Sequence, residues 1–472
     1  GAGMELRIDG RTIIPNVGQT LLELIRELKL DCEKLSCRPL AAKIAGEVFN
    51  LNYIPLRHKD TAPDRPSIRR AMAASGGVVH LLRYSDPTGK EVYTRTAQFV
   101  LFLALRQLYP HARCKMNCTL GAGLYIEIMD APDFSTDALK AQVQRLVEAD
   151  IPLLRRRITT EEAIRGFHAD GQTDKARLLA WRKEEYFDVY AYEDFADYYY
   201  GETAPSTGYL QSWDIQSVPG GFIFVFPDDK NPDNVAHFEE MPNFFSVFSE
   251  GEQWCRLMEC ETVADLNALT ESGKIRQLIR VNEALHEKRY AQIADTICDR
   301  GAKAVMLAGP SSSGKTTSAN RLATQLRVHG KKPILMSLDD YYVDRDMIEP
   351  GPDGKIDLEH INTIDTDLFS HHLELLLQGI SVELPSFNFK TGRREWHGHQ
   401  LKLNEDSVII VEGLHGLNPM LLPKSLDANL IFKMYISPLL PLNLDDHNRI
   451  PTSYLRLLRR IVRDYETRNS SV

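Results

Sequence analysis

One stretch limits the folding options of this chain more than any other. "AKAVMLA" (Ala302–Ala308) is an apolar run fit for a buried strand, and "GKTTSANRLATQLRVHG" (Gly314–Gly330) reads as the helix that follows it. Between them Gly309, Gly314, Lys315 and Thr316 satisfy G-x-x-x-x-G-K-[ST] in the strand–loop–helix setting the motif needs. Glycines at those positions let backbone N–H groups wrap a phosphate, and the helix N-terminus adds the positive end of its dipole. Residues Gly309, Pro310, Ser311, Ser312, Ser313, Gly314, Lys315, Thr316 and Thr317 are therefore the expected nucleotide-binding loop. In that loop Lys315 reaches the β/γ-phosphates and Thr316 binds Mg²⁺, so the cofactors expected are ATP and Mg²⁺.

From Ala302 onward apolar strands alternate with helices, the signature of a parallel α/β sheet. A second strand, "PILMSL", ends in "DDYYVDR", and a third, "SVIIVEGLHGLNP", ends in Glu412-Gly413. In an open α/β sheet ligands sit beyond the carboxyl ends of the strands, which puts Asp339 and Glu412 at the phosphate edge if their strands lie near the first. A carboxylate followed by Tyr341 and Tyr342 suits a base for a substrate hydroxyl beside an aromatic packing surface. Glu412 suits a Mg²⁺ carboxylate, direct or through water. "YLRLLRRIVRDYETR" is a helix with Arg456, Arg459, Arg460, Arg463 and Arg468, able to neutralise charge on a transferring group.

These residues resemble the uridine kinase and phosphoribulokinase group, through "GPSSSGKTT", "SLDDYY", "LPSFNFKTGRR", "VIIVEGLHGL" and "RRIVRD" in that order. The resemblance implies an ATP-dependent phosphotransferase acting on the 5′-hydroxyl of a nucleoside, most simply a uridine-type kinase. Asp339 is then the base, with Lys315, Arg463 and Arg468 the other catalytic groups. Tyr342, Glu359, Phe387, Phe389 and Arg460 contact the acceptor, and Thr316 and Glu412 hold Mg²⁺. Departures exist: Gly392 stands at the family's base-facing His position, Phe387 replaces a Tyr, Asn388 an Asp and Glu359 an Asp. After Arg468 the family continues with Gly whereas this chain reads "NSSV", so the lid and C-terminal tail read as incomplete. The alternatives are a kinase for a phosphorylated sugar or other small alcohol, as on the phosphoribulokinase side, and an RNA-associated regulator that uses the nucleotide as a switch.

The front half reads differently. "MELRIDGRTIIP" alternates around an Asp9-Gly10 turn, "TLLELIRELKL" has helical spacing, and "AAKIAGEVFNL" repeats strand–turn–strand, the order of a β-grasp module. "RHKDTAPDRPSIRR" (Arg57–Arg70) is the expected linker, followed by helices at "TAQFVLFLALRQLY" and "TDALKAQVQRLVEADI" and strands such as "GGFIFVFP". "RPLAAKIAGEVFNL", "YTRTAQFVLFLALRQLYP" and "DFADYYYGETAPSTGYL" resemble the N-terminal TGS and editing domains of threonyl-tRNA synthetases. That family's editing pocket uses an H-x-x-x-H pair and a later Cys and His, a metal-ligand set; the matching positions here are Thr94, Gln98, Tyr199 and Thr203, none a strong zinc ligand. The expected organisation is a TGS-like β-grasp domain at 4–62 and an editing-like α+β domain without metal ligands at 70–242. A helical connector follows at 243–300, closed by Gly301, then an α/β P-loop kinase domain with a parallel sheet at 301–472.

Composition restricts the rest. With 43% hydrophobic and 26% charged residues over 472 positions and a net charge of -9, the chain is an ordinary globular one, with no general affinity for nucleic acid. RNA contact through the front half, where "LLRRR" offers a local basic stretch, and self-association are further partner expectations. No run reaches the roughly 18 apolar residues of a membrane span, so no membrane partner is expected. Gly-Ala-Gly before Met4 reads as the remnant of a cut tag. The seven cysteines, at 32, 37, 114, 118, 255, 260 and 298, lack CxxC spacing; reduced thiols in a cytoplasmic protein are the expectation.

Overall fold

The computed structural model describes residues 4–58, 73–74, 76–240, 242–437, 442–450, 456–457 and 459–461. It divides into two compact units, Gly1–Ala268 with Pro441–Arg449, and Leu269–Leu440 with Ile450–Val472.

The first unit opens on strands β1 (Leu6–Ile8) and β2 (Arg11–Ile13), helix α1 (Leu21–Glu27), and strands β3 (Ala41–Ile44) and β4 (Glu47–Asn50). Asp9 and Gly10 take φ of 47° and 78°, the turn the sequence announced. Thr20 caps α1 by accepting from the Glu23 N–H, and Leu21, Leu24 and Ile25 face the sheet. The fifth strand, β5 (Val78–Leu82), comes from beyond residue 62. It is parallel to β1 and antiparallel to β3, and so closes the order β2-β1-β5-β3-β4. Cys32 and Cys37 are joined in a disulfide, which corrects the expectation that every thiol is free; their Cα atoms lie 5.8 Å apart, within bridging range.

Helix α2 (Pro87–Leu108) starts well before the apolar run that predicted it, because Asp86-Pro87 supplies the entry. It is buried along most of its length and carries the core with Phe222 and Phe224. Strands β6 (Arg113–Leu120) and β7 (Gly123–Met129), helix α3 (Thr136–Glu148), strand β8 (Arg155–Thr159), helices α4 (Thr160–Ala169) and α5 (Thr173–Leu179), and strands β9 (Tyr186–Tyr192), β10 (Phe195–Asp197), β11 (Asp214–Val218) and β12 (Gly221–Val225) follow. They form an antiparallel sheet β11-β12-β7-β6 and a smaller one, β10-β9-β8. Helices α6 (Pro242–Leu257), α7 (Val263–Ser272) and α8 (Ile275–Arg300) follow, α8 ending on Gly301 at φ 67°.

The second unit is built on β13 (Ala304–Ala308), α9 (Lys315–Val328), β14 (Lys332–Ser337), α10 (Thr366–Leu377), the hairpin β15 (Val382–Asn388) and β16 (Arg393–Leu401), β17 (Ser407–Glu412) and β18 (Ile431–Tyr435). Its sheet is wholly parallel, in the order β14-β17-β13-β18, as the alternation of apolar strands and helices implied. Both faces are covered: Met306, Ile409 and Val411 pack toward Phe369 and Leu373, while Leu307, Val408 and Ile410 pack toward Leu322 and Leu326. The second strand is not beside the first, since β17 runs between β13 and β14.

Candidate active site

That strand order gathers the functional groups. Glu412, the last residue of β17, is in register with Leu307 of β13 on one side and Ser337 of β14 on the other. The phosphate loop leaves β13 immediately beyond Leu307, and Asp339 leaves β14 two residues after Ser337. Three neighbouring strands thus deliver a cradle, a carboxylate and a second carboxylate to one edge.

The loop between β13 and α9 is shaped by contacts that only glycine permits. A Cβ on Gly309 would lie 2.6 Å from the Ile436 carbonyl oxygen and 2.8 Å from Ser313 Oγ, and Gly314 turns at φ 91° into the first residue of α9. No side chain caps α9, so its leading N–H groups stay open to a ligand. The hydroxyl oxygens of Ser312 and Ser313 are buried without a hydrogen-bond partner, which is what a cradle for anionic oxygens looks like before they arrive. Lys315 Nζ donates to the Pro310 carbonyl at 3.0 Å, inside the same loop.

A cleft of about 1020 Å³ is lined by Ser311–Thr317, Asp339, Tyr342, Glu359, Glu412, His415, Arg459 and Arg460, among others. Thr316 Oγ1 donates to Glu412 Oε1 at 3.4 Å. One hydroxyl and one carboxylate are a fitting pair for Mg²⁺, a cation that keeps several of its waters. Burial raises the Glu412 carboxyl above its ordinary value, and Lys315 opposes this. Asp339 sits in a short 3-10 turn, Leu338–Tyr341, with its N–H on Ser337 Oγ at 3.2 Å. Burial raises its carboxyl as well, against Lys315 and a hydrogen bond from Tyr342. The Tyr342 hydroxyl is pushed up to about 12 by burial and by Asp339, so it stays a donor at neutral pH.

The remaining expected residues fall as follows. Tyr342 and Glu359 line the cleft, and Phe387 and Phe389 stand behind Tyr342 at ring separations of 5.3 and 5.8 Å. His415, absent from the expected set although it lies in "EGLHGL", also lines the cleft and brings Nε2 to 2.5 Å from the Glu359 carbonyl oxygen. Arg456 and Arg459 donate to the carbonyls of Ser311 and Ser312 at 3.0 and 3.2 Å, so both touch the loop itself. Arg460 lines the cleft, while Arg463 and Arg468 lie outside the described residues.

The front unit treats its polar groups in another way. Thr94 Oγ1 bonds the Lys90 carbonyl at 2.8 Å within α2, and Gln98 Nε2 lies 2.6 Å from Met116 Sδ. Tyr199 donates to Asp197 at 3.3 Å, and Thr203 Oγ1 to the Ala204 carbonyl at 3.0 Å. Asp197, fully buried, is also held by Lys175 at 2.7 Å and His447 at 2.8 Å. Burial would raise its carboxyl, but Lys175 and His447 overcome that and hold it well below the usual range. His447 stacks on Phe102 at 3.7 Å, and Tyr198 donates to Asp445 at 2.5 Å. His447 and Asp445 belong to the segment 442–449, which also bonds β6 through Asn443 and Asp446 at Met116.

Residues 304–472 match the family described as Phosphoribulokinase / Uridine kinase, so the second unit carries a P-loop kinase domain of that family. The N-terminal half is similar to threonine–tRNA ligases. That of Desulforamulus reducens is 27% identical over 210 residues, 44% of this chain and 30% of the ligase; that of Halorhodospira halophila is 32% identical over 193 residues, 40% of this chain and 27% of the ligase. The chain therefore spans under a third of the length of these relatives. Among solved structures, that of a possible uridine kinase from Bacillus stearothermophilus is similar at 22% identity and a TM-score of 0.26, covering 31% of this chain and 79% of that one. Among the described residues no helix is long and apolar enough to cross a membrane.

Proposed function

We propose that the second unit transfers the terminal phosphoryl group of ATP to the 5′-hydroxyl of a nucleoside, of uridine type. The observation that carries this reading is the shared cleft of Asp339, Glu412, Lys315 and Thr316 around a loop whose buried serine hydroxyls lack partners. Bound there, ATP with Mg²⁺ supplies the phosphoryl group and the cation that neutralises its charge. Thr316 and Glu412 would hold the cation, and the open N–H groups at the start of α9, with Lys315, would grip the phosphate oxygens. Asp339 takes the proton from the acceptor hydroxyl as its oxygen bonds phosphorus, and Tyr342 fixes the carboxylate by donating to it. Arg460, which lines the cleft, neutralises charge on the transferring group.

Supplying the protein with ATP, Mg²⁺ and a panel of nucleosides and sugars, then identifying the phosphorylated product by mass, tests the reading. A phosphorylated sugar with every nucleoside left unchanged would refute the nucleoside assignment. For the front unit we propose a fold kept without aminoacyl-tRNA hydrolysis, because Gln98 and Tyr199 are engaged by Met116 and Asp197. Stoichiometric zinc bound at Thr94, Gln98, Tyr199 and Thr203 would contradict that.

A further inference from the structure

Next to the aromatic residues that pack on Tyr342, outside the lining of the cleft itself, a hairpin turn holds one cation in place. The turn joining β15 to β16 is gripped by Arg345. Its N–H donates to the Gly392 carbonyl at 2.9 Å and its Nη2 to the Phe389 carbonyl at 2.8 Å. Gly392 has φ 69°, and a Cβ there would sit 2.6 Å from Arg345 Cδ, so the arginine stem lies directly on the glycine. The same turn presents Phe389, 56% exposed, whose ring meets Phe387 at 5.0 Å and Tyr342 at 5.8 Å. Tyr342 in turn lines the cleft with Asp339. From the proposed base outward, an aromatic surface thus leads to a turn that holds a guanidinium.

Among the described residues no carboxylate pairs with Arg345, whereas Arg394 on the same hairpin is paired with Asp365 at 2.8 Å. A guanidinium has five N–H donors and no acceptor, and here one of them, on Nη2, is bonded to the Phe389 carbonyl. The group is exposed, yet backbone and stem contacts fix it, so little side-chain freedom remains to be lost on binding.

Resting on the phosphotransfer reading above, we infer that Arg345 is a specificity-determining residue. It selects an acceptor whose flat ring lies on the Tyr342–Phe387–Phe389 surface and whose far edge offers oxo groups, not amino groups. An oxo edge accepts from the free donors of the guanidinium. An amino edge sets donor against donor and forgoes that charge-assisted hydrogen bond, a difference of about 10- to 100-fold.

The test compares kcat/KM for two matched pairs, uridine against cytidine and inosine against adenosine, in the full chain and in Arg345→Met and Arg345→Lys. Arg345→Met keeps the stem over Gly392 and removes the donors, and its thermal midpoint reports whether the fold survives. The wild type favours the oxo member of each pair by about 10- to 100-fold. Arg345→Met brings the ratio near unity, mainly by raising KM for the oxo member, and Arg345→Lys restores part of it. Equal handling of both members by the wild type, or an unchanged ratio in Arg345→Met, overturns the inference. Calorimetric binding of the same four nucleosides separates this claim from its parent. With no phosphorylated product, the kinase reading falls, but an oxo preference in binding that Arg345→Met abolishes still upholds the role of Arg345. Absence of both turnover and binding overturns it.

Discussion

Two clusters of charge in this chain are built differently, one buried and one open to a cleft. Around Asp197, Lys175 and His447 are paired with the carboxylate and hold it low because they outweigh burial, while its neighbour Asp445, bonded to Tyr198, is pushed up to about 6 by burial. Around the phosphate loop, Asp339 and Glu412 are both raised by burial with Lys315 only partly compensating, and two serine hydroxyls have no partner. The first arrangement holds segment 442–449 in place. The second gathers raised carboxylates and unpartnered hydroxyls in one cleft, the combination on which the proposed phosphotransfer site rests.

The contrast breaks most visibly if one residue on each side is changed. Asp339→Asn should lower turnover by about 100- to 10,000-fold while ATP affinity hardly moves, read by steady-state kinetics and nucleotide titration. Near-normal turnover would remove Asp339 as the base. In the front unit, Lys175→Met leaves Asp197 buried without its strongest partner and should cost about 3–5 kcal/mol of that unit's stability, measured by denaturant unfolding. Glu412→Gln should weaken Mg²⁺ by about 10- to 100-fold, visible as a higher metal requirement for turnover. A smaller effect sharpens the comparison further. Because burial disfavours their charged forms, Asp339→Asn and Glu412→Gln should leave the thermal midpoint unchanged or slightly higher.

The pH dependence of the two regions also differs in sign. Asp197 binds its proton less readily folded than unfolded, so the stability it contributes is present above its ordinary value of 3.8 and is lost as pH falls below it. Asp339 is raised, so the acid limb of kcat/KM should fall at a pH above that same ordinary carboxylate value, and the Asp339→Asn residual rate should lack this limb.

The sequence showed the donor site plainly, because a phosphate loop needs glycines at fixed spacing and an apolar strand before it. The two carboxylates were legible as strand-terminal residues. The order of their strands was not, since "AKAVMLA", "PILMSL" and "SVIIV" are equally apolar and period alone does not tell which is central. Residues 442–449 were read as part of the kinase domain expected at 301–472, with no sign that they pack in the first unit. "Asn443-Leu444-Asp445-Asp446-His447-Asn448" has no periodicity, and its partners at Lys175, Asp197 and Met116 are hundreds of positions away. Strand β5 was missed for a related reason, being separated from its neighbours β1 and β3 by a polar, Pro-containing stretch. Arg345 gave no signal either, because a lone polar residue after "DDYYVD" looks like any solvated side chain until the hairpin turn is seen against it.

The most direct test of the central claim, that Asp339 and Glu412 serve phosphoryl transfer to an alcohol, is the rate of ADP formation with and without acceptor. Transfer predicts ADP that appears only when an acceptor is supplied, in step with one phosphorylated product. ADP and free phosphate released at the same rate whether or not any acceptor is present would contradict it.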